Sequence, residues 1–133
     1  MNPKMSDMSD RISIADFHNL KGQKKPSKYK NRTAVSSDGK TFDSQKERDR
    51  YEELRLLQLA SKITSLQCQP SFKLLPLQVI CGRVEKGVNY TADFSYWEND
   101  LFVIEDVKGR RTADYVIRRK LMKFVLNLDV REI

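Results

Sequence analysis

The segment 101–108 constrains the fold of this chain more than any other part of its sequence. Its first four residues are Leu, Phe, Val and Ile, so every position from 101 to 104 is apolar, as in a strand covered on both faces. Three charged residues follow at once, namely Glu105, Asp106 and Lys108. Burying a charge costs free energy unless a partner compensates it. The segment therefore predicts a layered domain whose central strand ends at a charged site.

Alternation of side chains along this strand separates the charges. Asp106 and Lys108 are two residues apart and project to one face, whereas Glu105 projects to the opposite face. The residues Glu-Asn-Asp at 98–100 are typical of a turn, so the strand is expected to pair with the preceding segment 90–97. In that hairpin the paired positions sum to 199, as 98 and 101 do, and this register places Asp93 opposite Asp106.

Two facing carboxylates destabilise a sheet unless a proton or a cation lies between them. The chain has one histidine, His18, and its two cysteines, Cys68 and Cys81, lack CxxC spacing. Neither a zinc site of the usual kind nor a histidine-based catalytic unit can be assembled from them. Hard carboxylate oxygens favour magnesium or manganese. The sequence therefore predicts a Mg²⁺ or Mn²⁺ site at Asp93 and Asp106.

Helical periodicity predicts two helices, at about 44–61 and 112–127. The apolar positions expected to face the core are Tyr51, Leu54, Leu57 and Ile63 in the first segment and Tyr115, Ile117, Leu121, Phe124 and Val125 in the second. Short strands are expected at 33–35, 41–42, 72–74, 78–81, 90–97, 101–108 and 129–133. This order predicts an α/β or α+β fold with a central mixed sheet flanked by helices.

The chain carries more basic than acidic residues. Lys and Arg number 25 against 18 Asp and Glu, a formal charge of +7 in 133 residues. A positive field attracts nucleic acid, although a merely soluble charged surface is the alternative explanation. Residues 1–32 are basic with few apolar side chains, which predicts a flexible basic arm before a domain at 33–133. Neither a signal peptide nor a bilayer-spanning segment is evident, so no membrane contact and a cytoplasmic location are expected.

Asp93, twelve intervening residues and then Asp106-Val107-Lys108 resemble the D…(D/E)xK motif of the PD-(D/E)XK nucleases, the restriction-endonuclease-like superfamily. Ala92 stands where the superfamily's name has proline, a position that is often replaced in it. Segments 46–51, 90–94 and 103–109 look like a small phage-encoded family of uncharacterised nucleases within that superfamily, over roughly residues 28–133. The resemblance implies a restriction-endonuclease-like core in the domain at 33–133.

The resemblance also implies that a glutamate on the helix before the sheet joins the metal site. Glu47 is at the matching position, so the implied metal ligands are Asp93, Asp106 and Glu47. A structural role of Glu47 is the alternative, because Ser44 and the three residues after it form a capping box. The two roles do not exclude each other.

Lys108 is implied to orient or deprotonate the attacking water, or to stabilise the transition state as a fixed cation. An ordinary salt bridge between Lys108 and Asp106 is the alternative. Basic residues continue beyond the motif, where Arg110, Arg111 and Lys120 are expected to contact nucleic-acid phosphates near a helix N-terminus. A solvated helix face explains the same charges without a ligand.

These inferences predict a Mg²⁺-dependent DNA endonuclease, with catalytic residues Glu47, Asp93, Asp106 and Lys108. The resemblance implies phage DNA recombination or processing, such as cleavage of branched junctions. Two other functions stay open, namely a non-catalytic nucleic-acid-binding module and a nuclease subunit active only with a partner. Cutting two strands requires two sites, which is compatible with a homodimer, but no interface is evident. No small-molecule cofactor beyond the metal is expected.

Overall fold

The structure, a computed structural model, describes residues 32–108 and 110–133. Apart from its last residue, the predicted basic arm at 1–32 lies outside the described residues. The two helices of the described chain are α1 (Gln45–Leu59) and α2 (Ala113–Leu126). The strands are β1 (Ala34–Val35), β2 (Thr41–Phe42), β3 (Thr64–Cys68), β4 (Ser71–Leu75), β5 (Gln78–Ile80), β6 (Arg83–Glu85), β7 (Val88–Thr91), β8 (Phe94–Glu98), β9 (Leu101–Asp106) and β10 (Val130–Glu132).

The main sheet has four strands in the order β10-β9-β8-β3. Strand β10 runs parallel to β9, whereas β8 is antiparallel to both β9 and β3, so the sheet is mixed. Pairing of β8 with β9 runs from Glu98↔Leu101 to Phe94↔Glu105, which confirms the predicted register. The predicted α+β fold with a central mixed sheet is confirmed.

The two helices cover opposite faces of this sheet. The first core lies against α1 and contains Tyr51, Leu54, Phe94, Tyr96 and Val103. The second core lies against α2 and contains Tyr90, Ile104, Tyr115, Met122 and Val130. Because neighbouring residues of β9 join different cores, the end of this strand presents consecutive side chains to two different environments.

Burial of β9 is less complete than its composition predicts. Val103 and Ile104 are buried, but Leu101 and Phe102 are exposed. Leu101 follows the turn at Asn99 and Asp100, both with positive φ, and this end of the hairpin is exposed rather than enclosed between the helices. The strand is therefore covered on both faces only near the charged site.

Side-chain caps set the starts of both helices. The Ser44 hydroxyl accepts a hydrogen bond from the Glu47 backbone amide at 3.1 Å, and the Thr112 hydroxyl accepts one from Tyr115 at 3.2 Å. Helix α2 ends at Leu126, and the left-handed backbone of its C-cap Asn127 (φ 53°) closes the last turn. The predicted helix boundaries are correct to within two residues.

The predicted apolar side of α2 is confirmed at Tyr115 and Leu121 and wrong at its other three residues. Ile117, Phe124 and Val125 are exposed, Phe124 by 87%, whereas Met122, which the prediction omitted, is completely buried. Helix α2 packs against the sheet through Tyr115 and Met122, which lie two turns apart on one face. Apolar residues occur on every side of α2, so periodicity alone did not identify which side faces the sheet. In α1 the predicted core residues Tyr51 and Leu54 are buried, but Leu57 is exposed.

The predicted strand at 90–97 is interrupted. Its residues divide between β7 and β8, which are separated by Ala92 and Asp93. The Gln69 amide donates to the Asp93 carbonyl at 2.8 Å, and the Ala92 amide donates to the Pro70 carbonyl at 3.0 Å. Gln69 has φ 52°, so the partner strand also bends here. The bend releases Asp93 from regular pairing at the end of β9.

Strands β5 and β6 form a hairpin, and residues 76–87 are all exposed. The strand predicted at 78–81 corresponds to β5, whereas β6 was not predicted. Neither helix in the described part of the chain is long and apolar enough to cross a membrane.

Candidate active site

Asp93 closes the open end of the β8–β9 hairpin. Its backbone amide donates to the Glu105 carbonyl at 3.1 Å, and its carboxylate Oδ2 accepts a hydrogen bond from the Val107 amide at 2.7 Å. Asp93 thus lies beside the backbone of residues 105–107, one residue beyond the last β8–β9 pair (Phe94↔Glu105), so the predicted pairing of Asp93 with Asp106 is not part of the regular ladder. Burial raises the pKa of Asp93, whereas the Val107 amide and the charge of Lys108 lower it.

Asp106 is a buried carboxylate with one unused oxygen. The residue is 1% exposed, and its Oδ1 lies 3.7 Å from the Lys108 ammonium nitrogen. Oδ2 is also buried and has no hydrogen-bond partner among residues 32–108 and 110–133. Burial raises the pKa of Asp106, and Lys108 and the nearby Asp93 backbone amide oppose this shift. A buried acceptor without a partner is costly, so Oδ2 is suited to a ligand that supplies positive charge.

Lys108 is held on the same face as Asp106, as predicted. Its ammonium group lies 4.2 Å from the centre of the Tyr115 ring, a favourable cation–π contact. The Tyr115 hydroxyl donates to Glu132 Oε1 at 2.9 Å, and burial together with this bond raises the pKa of Tyr115. Elements α2 and β10 therefore jointly orient the lysine. The salt bridge between Lys108 and Asp106 is present, and it leaves Asp106 Oδ2 without a partner.

Glu47 occupies the capping box predicted at the start of α1. Its backbone amide donates to the Ser44 hydroxyl, and the hydroxyl donates to Glu47 Oε1 at 3.2 Å, so the side chains bond each other. Burial is the main cause of the raised pKa of Glu47, and the charge of Asp93 contributes to it. Glu47 is therefore electrostatically coupled to Asp93. Its predicted role in metal binding stays a prediction.

A metal ion at this position would have few protein ligands among the described residues. Within residues 32–108 and 110–133, no three His, Cys, Asp or Glu side chains lie close enough together to form a metal-binding group. Glu47 is on the helix that covers one face of the sheet, and Asp106 projects toward the other. Mg²⁺ commonly uses only one or two carboxylates and keeps several waters. The described residues offer the unpartnered oxygen of Asp106 and the carboxylate of Asp93, whose Oδ2 accepts a hydrogen bond from the Val107 amide.

A buried ion pair lies directly beside the site, and the sequence interpretation missed it. Glu105 is completely buried and accepts two hydrogen bonds from Arg50 of α1, at 2.9 and 2.7 Å. It also accepts the Tyr96 hydroxyl, and burial with this bond raises the pKa of Tyr96 to about 12. Arg131 lies 3.8 Å from the same carboxylate. Strand alternation correctly predicted that Glu105 and Asp106 project to opposite faces of the sheet. No sequence pattern identified Arg50 as the partner of Glu105.

The predicted phosphate contacts lie on the surface around α2. Arg110 is exposed, and Arg111 is exposed but forms an ion pair with Glu132 at 3.2 Å. Lys120 is exposed on α2. Lys46 was not predicted, yet its ammonium donates to the Lys108 carbonyl at 3.4 Å, next to the site. In the sequence, only the position of Lys46 next to Glu47 indicated that Lys46 could lie near the site.

The described residues thus define an α+β domain with two carboxylates and a lysine at the end of its central strand. The chain belongs to the family described as protein of unknown function (DUF1064), whose model matches residues 26–131. No curated protein and no solved structure matches the chain. The family description assigns no activity.

Proposed function

We propose that this protein is a metal-dependent endonuclease that hydrolyses phosphodiester bonds in DNA. The observation that carries the proposal is the buried Asp106 carboxylate, with one oxygen unpartnered among the described residues, beside Lys108 and one residue from Val107, whose amide donates to the Asp93 carboxylate. The resemblance of these residues to the PD-(D/E)XK motif supports the same chemistry. Mg²⁺ or Mn²⁺, DNA as substrate, a phage origin, action in the host cytoplasm and a role in branched-junction processing belong to this proposal.

Asp106 and Asp93 would hold the metal, and Glu47 would assist through its coupling to Asp93. When bound, such an ion neutralises charge on the phosphate oxygens and lowers the pKa of a coordinated water. The protein's own contribution is to keep these carboxylates in place before substrate arrives. The hydrogen bond from the Val107 amide fixes the Asp93 carboxylate, and burial shields the Asp106 carboxylate from solvent.

Lys108 supplies a fixed positive charge to the reaction. Its ammonium lies between the Asp106 carboxylate and the Tyr115 ring, which limits its movement. Because hydrolysis of a phosphodiester places further negative charge on oxygen, a preorganised cation stabilises the transition state more than the ground state. The open pocket formed by Asp106, Lys108, Tyr115 and their neighbours gives a phosphate access to this cation.

The proposal is tested by incubating the purified full chain with linear, flapped and four-way DNA. We expect cleavage with Mg²⁺ or Mn²⁺, none with a chelator, and none by Asp93→Ala. DNA binding of Asp93→Ala should resemble that of the wild type, whereas its thermal stability should fall modestly, because the variant loses the carboxylate that accepts a hydrogen bond from the Val107 amide. Cleavage that persists in chelator, or equally in Asp93→Ala, would contradict this mechanism.

A non-catalytic nucleic-acid-binding module is the second candidate. The absence of a three-ligand group in the described residues favours it, as does the overall charge of +7. It predicts that wild type and Asp93→Ala both bind DNA and that neither cuts any substrate. A subunit that requires a partner predicts instead that cleavage appears when the partner is added.

Replacing Glu47 with glutamine separates its two roles. Glutamine also suits this position of a capping box, so the free energy of unfolding should change by less than about 0.5 kcal/mol. If Glu47 assists metal binding, the Mg²⁺ concentration required for half-maximal cleavage should rise about tenfold. An unchanged metal requirement would assign Glu47 to capping alone. Chemical denaturation and metal titration of the cleavage rate provide the two readouts.

A further inference from the structure

A basic pocket lies between α2 and β10, apart from the residues around Asp106. We define it by its four cations, Arg111, Arg119, Lys120 and Lys123, and its apolar residues Val116 and Leu128. Its volume is about 230 Å³. Because the apolar residues pack against the second core, the pocket is part of the folded domain rather than a gap between mobile side chains.

The charge of this basic pocket is only partly compensated. Arg119 donates to the Val130 carbonyl at 3.3 and 3.1 Å and forms an ion pair with Glu132 at 3.2 Å. Lys123 lies 3.2 Å from Asp129, but both side chains are exposed, so this pair is weak. Lys120 makes no hydrogen bond or ion pair with any described residue. Glu132 also pairs with Arg111, so four cations face two carboxylates, Glu132 and Asp129, and the pocket keeps an excess of positive charge that attracts an anion.

The size of the basic pocket restricts the anion. Pockets for small-molecule ligands span roughly 300–1,000 Å³, so this one is too small for most whole ligands of that class. A phosphate group with part of its sugar is a better match in size and charge. Lysine binds such a group as a point charge, without the planar geometry that arginine requires.

The basic pocket and the Asp106 site are adjacent on α2. Tyr115 lines the site, Arg119 lines the basic pocket, and both contact the same Glu132 carboxylate. Tyr115 and Arg119 are four residues apart, which corresponds to about 6 Å along the axis of α2. One strand of duplex DNA advances about 3.4 Å per phosphate, so a strand cleaved beside Asp106 can place another phosphate, one or two nucleotides away, near Lys120.

We propose that the basic pocket binds a second phosphate of the DNA strand, either an internal phosphodiester or a terminal 5′-phosphate. The proposal rests on the proposed nuclease function only for the identity of the polyanion. Binding is therefore measured in chelator, where no metal-dependent cleavage occurs. The assay is fluorescence anisotropy of the full chain with one short duplex, over a range of salt concentrations.

Lys120→Gln should weaken binding about three- to tenfold at low salt and reduce the slope of log affinity against log salt by about 1. Lys62→Gln removes the same charge from an exposed position outside the basic pocket and is the matched control. It should retain the wild-type affinity and slope. Unchanged binding by Lys120→Gln, an equal loss in both variants, or no binding by the wild type would overturn the proposal.

The same duplex with a 5′-phosphate or a 5′-hydroxyl distinguishes the two sources. If Lys120→Gln lowers the affinity for the 5′-phosphorylated duplex alone, the basic pocket binds a terminal phosphate. If it lowers the affinity for both duplexes equally, the basic pocket binds an internal phosphodiester. If the wild type cuts no DNA in the presence of metal but Lys120→Gln still shows the specific loss, the nuclease proposal fails while the phosphate site stands.

Discussion

Asp106→Asn is expected to reduce DNA cleavage by about 10²- to 10³-fold, the usual cost of removing one preorganised electrostatic contact from a catalytic site. Asparagine has the same shape as aspartate but carries no negative charge. It therefore loses the attraction for a divalent ion without creating a cavity. The measurement is the single-turnover cleavage rate at saturating protein and Mg²⁺.

Asp106→Asn should lose activity without losing thermal stability. Burial raises the pKa of Asp106 in the folded state, so its charged form is disfavoured by folding above that pKa. A neutral asparagine removes this cost, and we expect a melting temperature equal to or above that of the wild type. Lys108 loses one partner but retains the Tyr115 ring. Loss of activity with retained stability is typical of functional residues that a fold carries at some expense.

Asp49→Asn is the matched control, because Asp49 is an exposed aspartate paired only with the neighbouring Arg48. It should leave both cleavage and melting temperature unchanged. A wild-type cleavage rate for Asp106→Asn would remove Asp106 from the mechanism. A large loss of stability in that variant would instead show that its carboxylate has a structural role.

Arg50→Met is expected to lower the free energy of unfolding by about 3 kcal/mol, because it leaves the Glu105 carboxylate buried without its main partner. Arg50 donates two hydrogen bonds to Glu105, which raise the pKa of the guanidinium, and Glu105 is 0% exposed. Arg131, at 3.8 Å and half-exposed, compensates only in part. Urea denaturation at neutral pH measures the effect.

Two further variants test whether the uncompensated Glu105 charge causes the stability loss of Arg50→Met. Arg48→Met removes a half-buried arginine of the same helix whose ion-pair partner Asp49 is exposed, and it should cost less than about 1 kcal/mol. Adding Glu105→Gln to Arg50→Met removes the uncompensated charge while keeping an acceptor for the Tyr96 hydroxyl, so much of the lost stability should return. An additive loss in the double variant would show that packing of the Arg50 stem, rather than the buried charge, dominates.

Local rules were enough to predict several features of the site. The turn at 98–100 and strand alternation predicted the β8–β9 register and the shared face of Asp106 and Lys108. The capping residues Ser44 and Thr112 marked the starts of the helices. These features depend on residues close in sequence or on one hairpin, where spacing determines geometry.

Other features depend on contacts between distant segments. The interruption of the strand at Asp93 requires the bend at Gln69 in its partner strand. The rotation of α2, which buries Met122 and exposes Phe124, depends on which side the sheet accepts. Glu105 and Arg50 are 55 residues apart, so their pairing could not be inferred from periodicity.

By itself, the sequence determined that a covered strand ends in acidic and basic side chains and which of them share a face, because these follow from the two-residue period of a strand. Only the tertiary structure decided their environments. Packing of α1 gives Glu105 an arginine, and packing of α2 gives Lys108 an aromatic ring and leaves one oxygen of Asp106 unpartnered. Burial and charge pairing arise from segments that meet only in the fold, so they decide which of two adjacent acids is structural and which is available for chemistry.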